Sequence, residues 1–544
     1  MTHRLVAVDD SDYRLPDPVM QALELDFARE ATIDANRHGV KADGITDDSP
    51  AWQAIVNTAL TGSVITWTGR SMLRTPIIWK TGISLIGEGW GRSVLATVDN
   101  GIPTWHAAIR WVEGDGASIT NTLEDCVWAN FEVDGSQLST GGQYKISAKG
   151  LFTLYHRNCQ WRNLYIHDTQ ATGLGCDFMP GSLITGCLVT DCGYMNPGNA
   201  GGGAGIGIGT GAWEVEDVII TGNTTRNNGN WGIFVEVQEY TDAYINQGIR
   251  GTGARIIGNT SYHDRVGFGD RGTVGTLIQG NVAHSPTVSG VSVSFGSREG
   301  AVLDNHVYKS GAVGIFVQTN VTDEVVAGNH VYDSGTHGIH IQAMAAANKA
   351  ISIRDNVVSR SNNCGILVDC TSGSTDGLMI RGNRVWNNGK AGGVYTQGIR
   401  MEANASAASI SGNRVFDDQA TKTQGAGLQL SASNTRTLSD ASIDNNNFTG
   451  STVAVSLSSH TRTNVTIGDN VGYLTANQGT ATIADGASTV TVPHGLGGVP
   501  SQVQLTPNGS AQVWINAKGV SNIIIQRLGT SGPLTVDWTA TYRP

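Results

Sequence analysis

An asparagine, usually with glycine before it, returns at a nearly regular interval along the second half of the chain, and few folds tolerate such a repeat. The positions are Asn223, Asn259, Asn281, Asn305, Asn329, Asn356, Asn383, Asn413, Asn446 and Asn470. Their steps are 36, 22, 24, 24, 27, 27, 30, 33 and 24 residues. A second marker, glycine followed by an apolar residue, runs in parallel at Gly232, Gly267, Gly290, Gly314, Gly338, Gly365, Gly398 and Gly427. Repeats of this length mean a solenoid. Segments such as Gly314-Ile-Phe-Val-Gln and Val325-Val-Ala-Gly-Asn-His-Val-Tyr alternate with period two and have no helical periodicity. Three short strands and three turns account for about 22 to 24 residues, so longer steps are insertions at a turn. Asparagines stacked at one turn can bond to one another, and glycine permits the sharp corner beside them. Gly186-Cys187 and Asn163 extend the register upstream.

Composition agrees with such a stack. Glycine supplies 71 of 544 residues and proline only 13, which is a turn-rich all-β balance without the marks of disorder. The charge of −11 with no basic block argues against a nucleic-acid partner. Seven cysteines, an odd count without metal-ligand spacing, are expected to be reduced and buried. No signal peptide and no membrane-length apolar run is present in the sequence, so neither membrane insertion nor export by a leader is expected.

Ahead of the repeat, Asp43-Gly44 leads to Asp47-Asp48-Ser49-Pro50 and an apolar stripe from Gln53 to Ala59. Ser49 suits an N-cap, Pro50 the first helical turn and Gly62 the stop. A helix here can close the open end of the stack. With Gly82-Ile-Ser-Leu-Ile-Gly87-Glu-Gly, this stretch resembles the start of pectate-lyase-superfamily parallel β-helices, a pattern frequent in phage tailspikes. Val8-Asp-Asp and Tyr13-Arg-Leu-Pro-Asp-Pro resemble the starts of minor tail proteins of actinobacterial phages. Beyond Thr475 the repeat stops and longer alternating strands read as a small β-sandwich. Within it Val490-Thr-Val-Pro-His494-Gly resembles a terminal module of phage tail proteins. The expected fold is therefore all-β: a right-handed single-stranded parallel β-helix with a capping helix and a C-terminal sandwich. The expected division is residues 1–35 as an attachment segment, 36–80 as cap and first strands, 81–472 as the helix and 475–544 as the sandwich.

A packed interior leaves the outer face for chemistry. Counting from the second marker as zero, positions +1 and +3 point inward and +2 and +4 outward. The +4 column reads Asp177, Glu236, Ser294, Gln318, Gln342, Asp369, Glu402 and Ser431, with Asp270 at +3 in a rung read as irregular, and the +2 column includes Phe234, Phe316, His340, Leu367 and Arg400. Acids and amides beside aromatics suit a polysaccharide groove. Rungs about 4.8 Å apart offer both separations used in glycoside hydrolysis, ~5–5.5 Å for retention and ~6.5–9.5 Å for inversion. The favoured pair is Glu236 and Asp270, with Asp177 and Asp242 as substitutes. Expected substrate contacts are Trp213, Trp231, Phe234, Glu239, Tyr240, His263, Arg271 and His340, and Asp369 with Glu402 form a second candidate pair. The long insertions 193–204 and 237–253 concentrate interest on this region. No cofactor is expected, calcium being the alternative, since three acids at one-rung spacing are lacking. The resemblance implies a virion-tail protein, a homotrimer joined to other tail or baseplate proteins through its N-terminus, that binds and hydrolyses a host surface polysaccharide. A non-catalytic glycan-binding fibre and a polysaccharide lyase are the alternatives.

Overall fold

The computed structural model describes residues 32–98, 108–110, 117–138, 148–194, 203–238, 252–430, 436–457 and 460–544. Each repeat contributes one strand to each of three parallel sheets. In a typical rung these strands are Val325–Ala327, His330–Tyr332 and Ile339–Ala343. Every strand pairs in parallel with its counterpart one rung on, as Val325 does with Ser352 and Ile339 with Ile366. Among the described residues the second sheet has 14 strands, and the first and third join into one of 31. The join is made by Gln397–Ser406, which pairs with strands of both sheets. Parallel pairing starts at Thr32–Asp34 with Val64–Trp67, ahead of residue 81, and runs to Thr461–Gly468.

The asparagines line the corner between the first and second sheets. The side-chain oxygen of each accepts both the backbone and side-chain N–H of the asparagine one rung earlier, at 2.8–3.0 Å from Asn223 through Asn470. Each also donates to a strand carbonyl, as Asn329 does to Val302 at 2.8 Å. The ladder starts where the Cys187 N–H donates to Asn223. Asn163 is not part of it: this residue has φ +48 and occupies the exposed glycine position of its corner, while buried Leu164 takes the ladder position.

Inside the stack one continuous core runs from Ala35 to Tyr473. All seven cysteines are free and buried in it or beside it. The α-helix Ser49–Thr58, the only one among the described residues, turns Trp52, Ile55 and Val56 onto the first rungs. Its cap residue is Asp48 and not Ser49, and neither side chain caps the helix. Asp48 accepts instead from Lys41 N, Ala42 N and Ser71 Oγ, and Ser49 Oγ accepts from Arg74 N and Thr75 N. Both residues thus tie the helix to the stack. At the other end two three-stranded antiparallel sheets face each other over Ile483, Ile523, Ile525, Val536 and Trp538. Tyr473 meets Tyr542 edge-on at 6.4 Å where this module adjoins the last rung.

Replacing Asn329 by alanine strands the Asn305 amide and the Val302 carbonyl in a dry corner, at about 1–3 kcal/mol per unpaired group. Chemical denaturation of Asn329→Ala should show a loss of at least ~2 kcal/mol, with Asn57→Ala on the exposed helix face near zero. Equal effects of the two would remove the ladder from its role.

Candidate functional site

The outer face of the third sheet carries two columns of side chains in strict register. One passes through Phe152, Gly175, Gly207, Phe234, Gly269, Ser292, Phe316, His340, Leu367 and Arg400. The other passes through Leu154, Asp177, Gly209, Glu236, Arg271 and Ser294, and later Gln342, Asp369 and Glu402. The rung Ile206–Thr210 has glycine at both outward positions, Gly207 and Gly209. Asp177 and Glu236 therefore stand in one column two rungs, or about 9.6 Å, apart, with the Gln238 side chain lying over Gly209.

Lys149 lies near enough to feel the charge of both. It is buried at 8% exposure and runs through the space that Gly175 leaves open, where a Cβ would come within 2.7 Å of its Cδ. Its ammonium lies 4.0 Å from the centre of the Phe152 ring. Burial lowers the Lys149 pKa, and Asp177 and Glu236 pull it back up. Burial raises Asp177, against Lys149 and the Gly209 N–H, which donates to its Oδ1 at 2.8 Å. Burial also pushes Glu236 up to about 7, with Arg271 opposing and Asp177 adding to the rise. At neutral pH Glu236 is thus poised to hold a proton beside a carboxylate partner.

Aromatic rings flank the hollow. Trp231 lies flat on Phe234 at 4.2 Å and 15° and covers Gly269, where a Cβ would meet its ring at 1.9 Å. On the opposite side Trp213 packs edge-on against Tyr155 at 5.8 Å, with Arg157 over its ring at 5.1 Å. The turn that carries Trp213 is clasped by Glu216, whose Oε1 accepts from Gly211, Ala212 and Trp213 N–H groups at 2.9, 2.7 and 2.8 Å. Burial raises Glu216 to about 7, and those three N–H groups oppose the shift.

Several expected residues lie elsewhere. Asp270 is not on the outer face: it pairs in register with Val235 and Val293 and is 3% exposed, so the structure corrects the Glu236–Asp270 pair. The physical reason is the two-residue alternation of a strand, which this rung obeys, sending Gly269 and Arg271 outward and Asp270 inward. There Asp270 accepts from Thr273 Oγ1 at 2.5 Å, and burial raises its pKa to about 6. Arg271 is the outward neighbour of Glu236 and lies 5.1 Å over Phe295. His263 sits exposed in the turn after the second sheet, against Tyr262, away from the hollow. Glu239, Tyr240 and Asp242 lie outside the described residues.

The second candidate pair does stand on adjacent rungs, Asp369 beside Glu402. Asp369 accepts or shares a proton with His340 Nε2 at 3.0 Å, and His340 stacks on Phe316 at 4.9 Å. Glu402 is taken up by buried Arg400, which also donates to Val394 O, Gln397 and Gln429 and lies 4.6 Å over Tyr395. Partners already engage this group throughout. On the second sheet Asp134, His167 and Asp168 bring ligand-type atoms within 4.8 Å of one another. Arg70 pairs with Asp134, and His167 bridges Asp168 at 2.7 Å and Glu132 at 3.2 Å. Sequence reading missed this group, along with Lys149 and Glu216, because none of them falls on the two indexed columns.

The family model described as right handed beta helix region matches residues 247–404, and that of a periplasmic copper-binding protein, NosD, matches residues 344–487. No curated protein sequence matches the chain. Among solved structures, the tailspike protein of Escherichia coli bacteriophage HK620 in complex with a pentasaccharide is similar at 11% identity and TM-score 0.55, over 96% of this chain and 95% of that chain. The fold is a right-handed parallel β-helix. A mutant of the same tailspike, also with pentasaccharide, gives 11% identity and TM-score 0.56 over the same shares, 96% and 95%. The A-module of an Azotobacter vinelandii mannuronan C-5 epimerase gives 14% identity and TM-score 0.39 over 81% of this chain and 98% of that chain.

The inward-facing acids carry a cost that can be measured. Glu324 is 1% exposed, its Oε2 has no hydrogen-bond partner among the described residues, and burial holds its pKa well above the ordinary value. A carboxyl raised in the folded state contributes stability below its ordinary pKa and loses it as pH rises toward the folded pKa. The corner column that holds Glu324 elsewhere carries Val218, Ile351 and Leu378. Glu324→Leu should therefore raise the unfolding midpoint at pH 8 and have little effect at pH 4. Equal effects at both pH values would mean that its ionisation is not the cause.

Proposed function

We propose that this chain binds a surface polysaccharide along the outer face of the third sheet and cleaves it by glycoside hydrolysis between Asp177 and Glu236. The reading rests on one observation: two carboxyls stand in one outward column on either side of a rung whose outward positions are both glycine, with buried Lys149 near enough to feel the charge of both. Protonated Glu236 would donate to the glycosidic oxygen as the C1–O bond breaks. Asp177 would take a proton from a water that attacks the anomeric carbon from the opposite side. The two-rung spacing is near the upper end of the ~6.5–9.5 Å range that leaves room for such a water, so the product would be inverted. Trp231 and Trp213 would stack on sugar rings, and Arg271 would hold hydroxyls beside Glu236. The HK620 tailspike, whose fold this chain shares, was solved with a pentasaccharide bound. In this reading the protein works as a trimeric phage tailspike on its host's surface, attached through residues 1–35.

The alternative is a fibre that grips the same glycan without cutting it. It is favoured by the Gly209 N–H and the Gln238 side chain, which crowd Asp177: a Cβ on Gly209 would meet Gln238 at 2.3 Å and Asp177 at 2.5 Å. Purified protein with host-wall polysaccharide separates the readings. New reducing ends without unsaturated-uronate absorbance mean hydrolysis, both signals together mean a lyase, and neither means a fibre.

Glu236→Gln and Asp177→Asn should each lower turnover at least ~10²-fold, the contribution of a positioned acid or base, with glycan binding and folding kept. Asp270→Asn should cut normally. Wild-type turnover should fall as pH rises through about 7, where Glu236 loses its proton. Full activity in both outward variants would refute the assignment.

A further inference from the structure

A second charged surface lies on the far side of the stack, at the corner of the first and second sheets. Arg354 and Arg381 are Cα partners at the end of the first sheet's strands, and Arg384 and Arg414 are Cα partners at the start of the second's. Only the Gly382-Asn383 corner separates Arg381 from Arg384. Four exposed guanidiniums thus share three successive rungs of a chain whose net charge is −11. Arg354 has Asp355 at 3.5 Å. Arg381, Arg384 and Arg414 have no ion-pair partner among the described residues. Their neighbour Arg360 is the contrast, since its guanidinium closes on both Asp333 oxygens at 3.0–3.3 Å.

Aromatic rings hold two of these cations in place. Trp386 and Phe416 stack at 5.9 Å and 4°. Arg384 lies 4.7 Å from the Trp386 centroid and 5.7 Å from that of Phe416, and Arg414 lies 5.0 Å from Phe416. A guanidinium spread on a ring keeps its N–H edges free and loses little freedom when it binds an oxyanion. Like charges one rung apart repel, so an uncompensated cluster suits an anionic ligand. Two rung steps measure about 9.6 Å, whereas duplex DNA presents a charge every ~1.7 Å. A patch this short, bordered by Asp355, matches a polymer with widely spaced anions and not a dense polyphosphate.

We propose that Arg381, Arg384 and Arg414 form a binding site for an acidic polysaccharide, its charge carried by sugar carboxylates or by phosphodiesters between sugars. The site is separate from the hollow on the third sheet and does not depend on cleavage there.

The test measures binding of the full chain to polygalacturonate, to phosphomannan with phosphodiester-linked mannose, to neutral dextran and to duplex DNA. Asp177→Asn/Glu236→Gln serves as the background, so that neither cleavage nor the outward acids interfere. One or both acidic polymers should bind, and which one does identifies the anion. Affinity should weaken steeply between about 50 and 200 mM salt. R381Q/R384Q/R414Q should bind at least ~10-fold more weakly with an unchanged unfolding midpoint. The corresponding triple lysine variant should keep part of the affinity, and R360Q all of it. The proposal is overturned if neither acidic polymer binds, if the triple glutamine variant binds as well as its parent, or if DNA competes as effectively as the glycans.

Discussion

The hydrogen bond between successive corner asparagines is the constraint on which the rest of this structure depends. A strand that turns sharply into the next sheet leaves backbone groups that no ladder of its own can pair, and in a dry corner each is costly. The asparagine side chain is short enough to stay inside the corner and has both a donor and an acceptor. It can therefore satisfy the turn of its own rung and that of its neighbour in one geometry. Repeated from Asn223 to Asn470, this bond locks each rung directly over the last. A slip of one residue would break the ladder and turn every side chain of the strand to the wrong face.

That fixed register is what turns a sequence position into a surface position. It puts Asp177 and Glu236 in one outward column with only Gly209 between them, and it puts Asp270 one residue out of phase and inside. The difference between a residue able to act on a polymer and one sealed in the core is a single step along the strand. The same register stacks Arg384 on Arg414 and Trp386 on Phe416. A ligand that repeats along its length is the natural counterpart of such columns.

Much of this was legible because ladder and alternation are both local patterns. The asparagine positions, the inward apolar pairs, the buried thiols and the third sheet's outer face follow from spacing alone. What failed did so where the side chain, not the backbone, decides. Asp270 looked like part of an irregular rung, because a carboxyl at an inward position is rare enough to suggest a shift of phase. The rung instead keeps its phase and solvates the acid with Thr273. Lys149 precedes its rung's glycine and lies near enough to feel Asp177 and Glu236 only because Gly175 has no side chain in its path. Glu216 acts through three backbone N–H groups of a turn, which no residue count locates. Asp48 rather than Ser49 takes the N-cap position, and neither side chain caps the helix, for a similar reason: both are drawn into tertiary bonds.

A stack of this kind can also carry acids that an ordinary core could not. Glu236, raised to about 7, contributes stability below its ordinary pKa and loses it as pH rises through that value. At neutral pH the hollow is therefore a strained part of the molecule. In a globular core such strain would be shared by every element packed against it. In a solenoid each rung touches only its neighbours, and stability is close to a sum of rung and interface terms. The cost of burying Lys149, Asp177 and Glu236 stays within the rungs that hold them, while nine unbroken asparagine links from Asn223 to Asn470 hold those beyond. The same repetition leaves the fold free to tune a few successive rungs for chemistry without loosening the others.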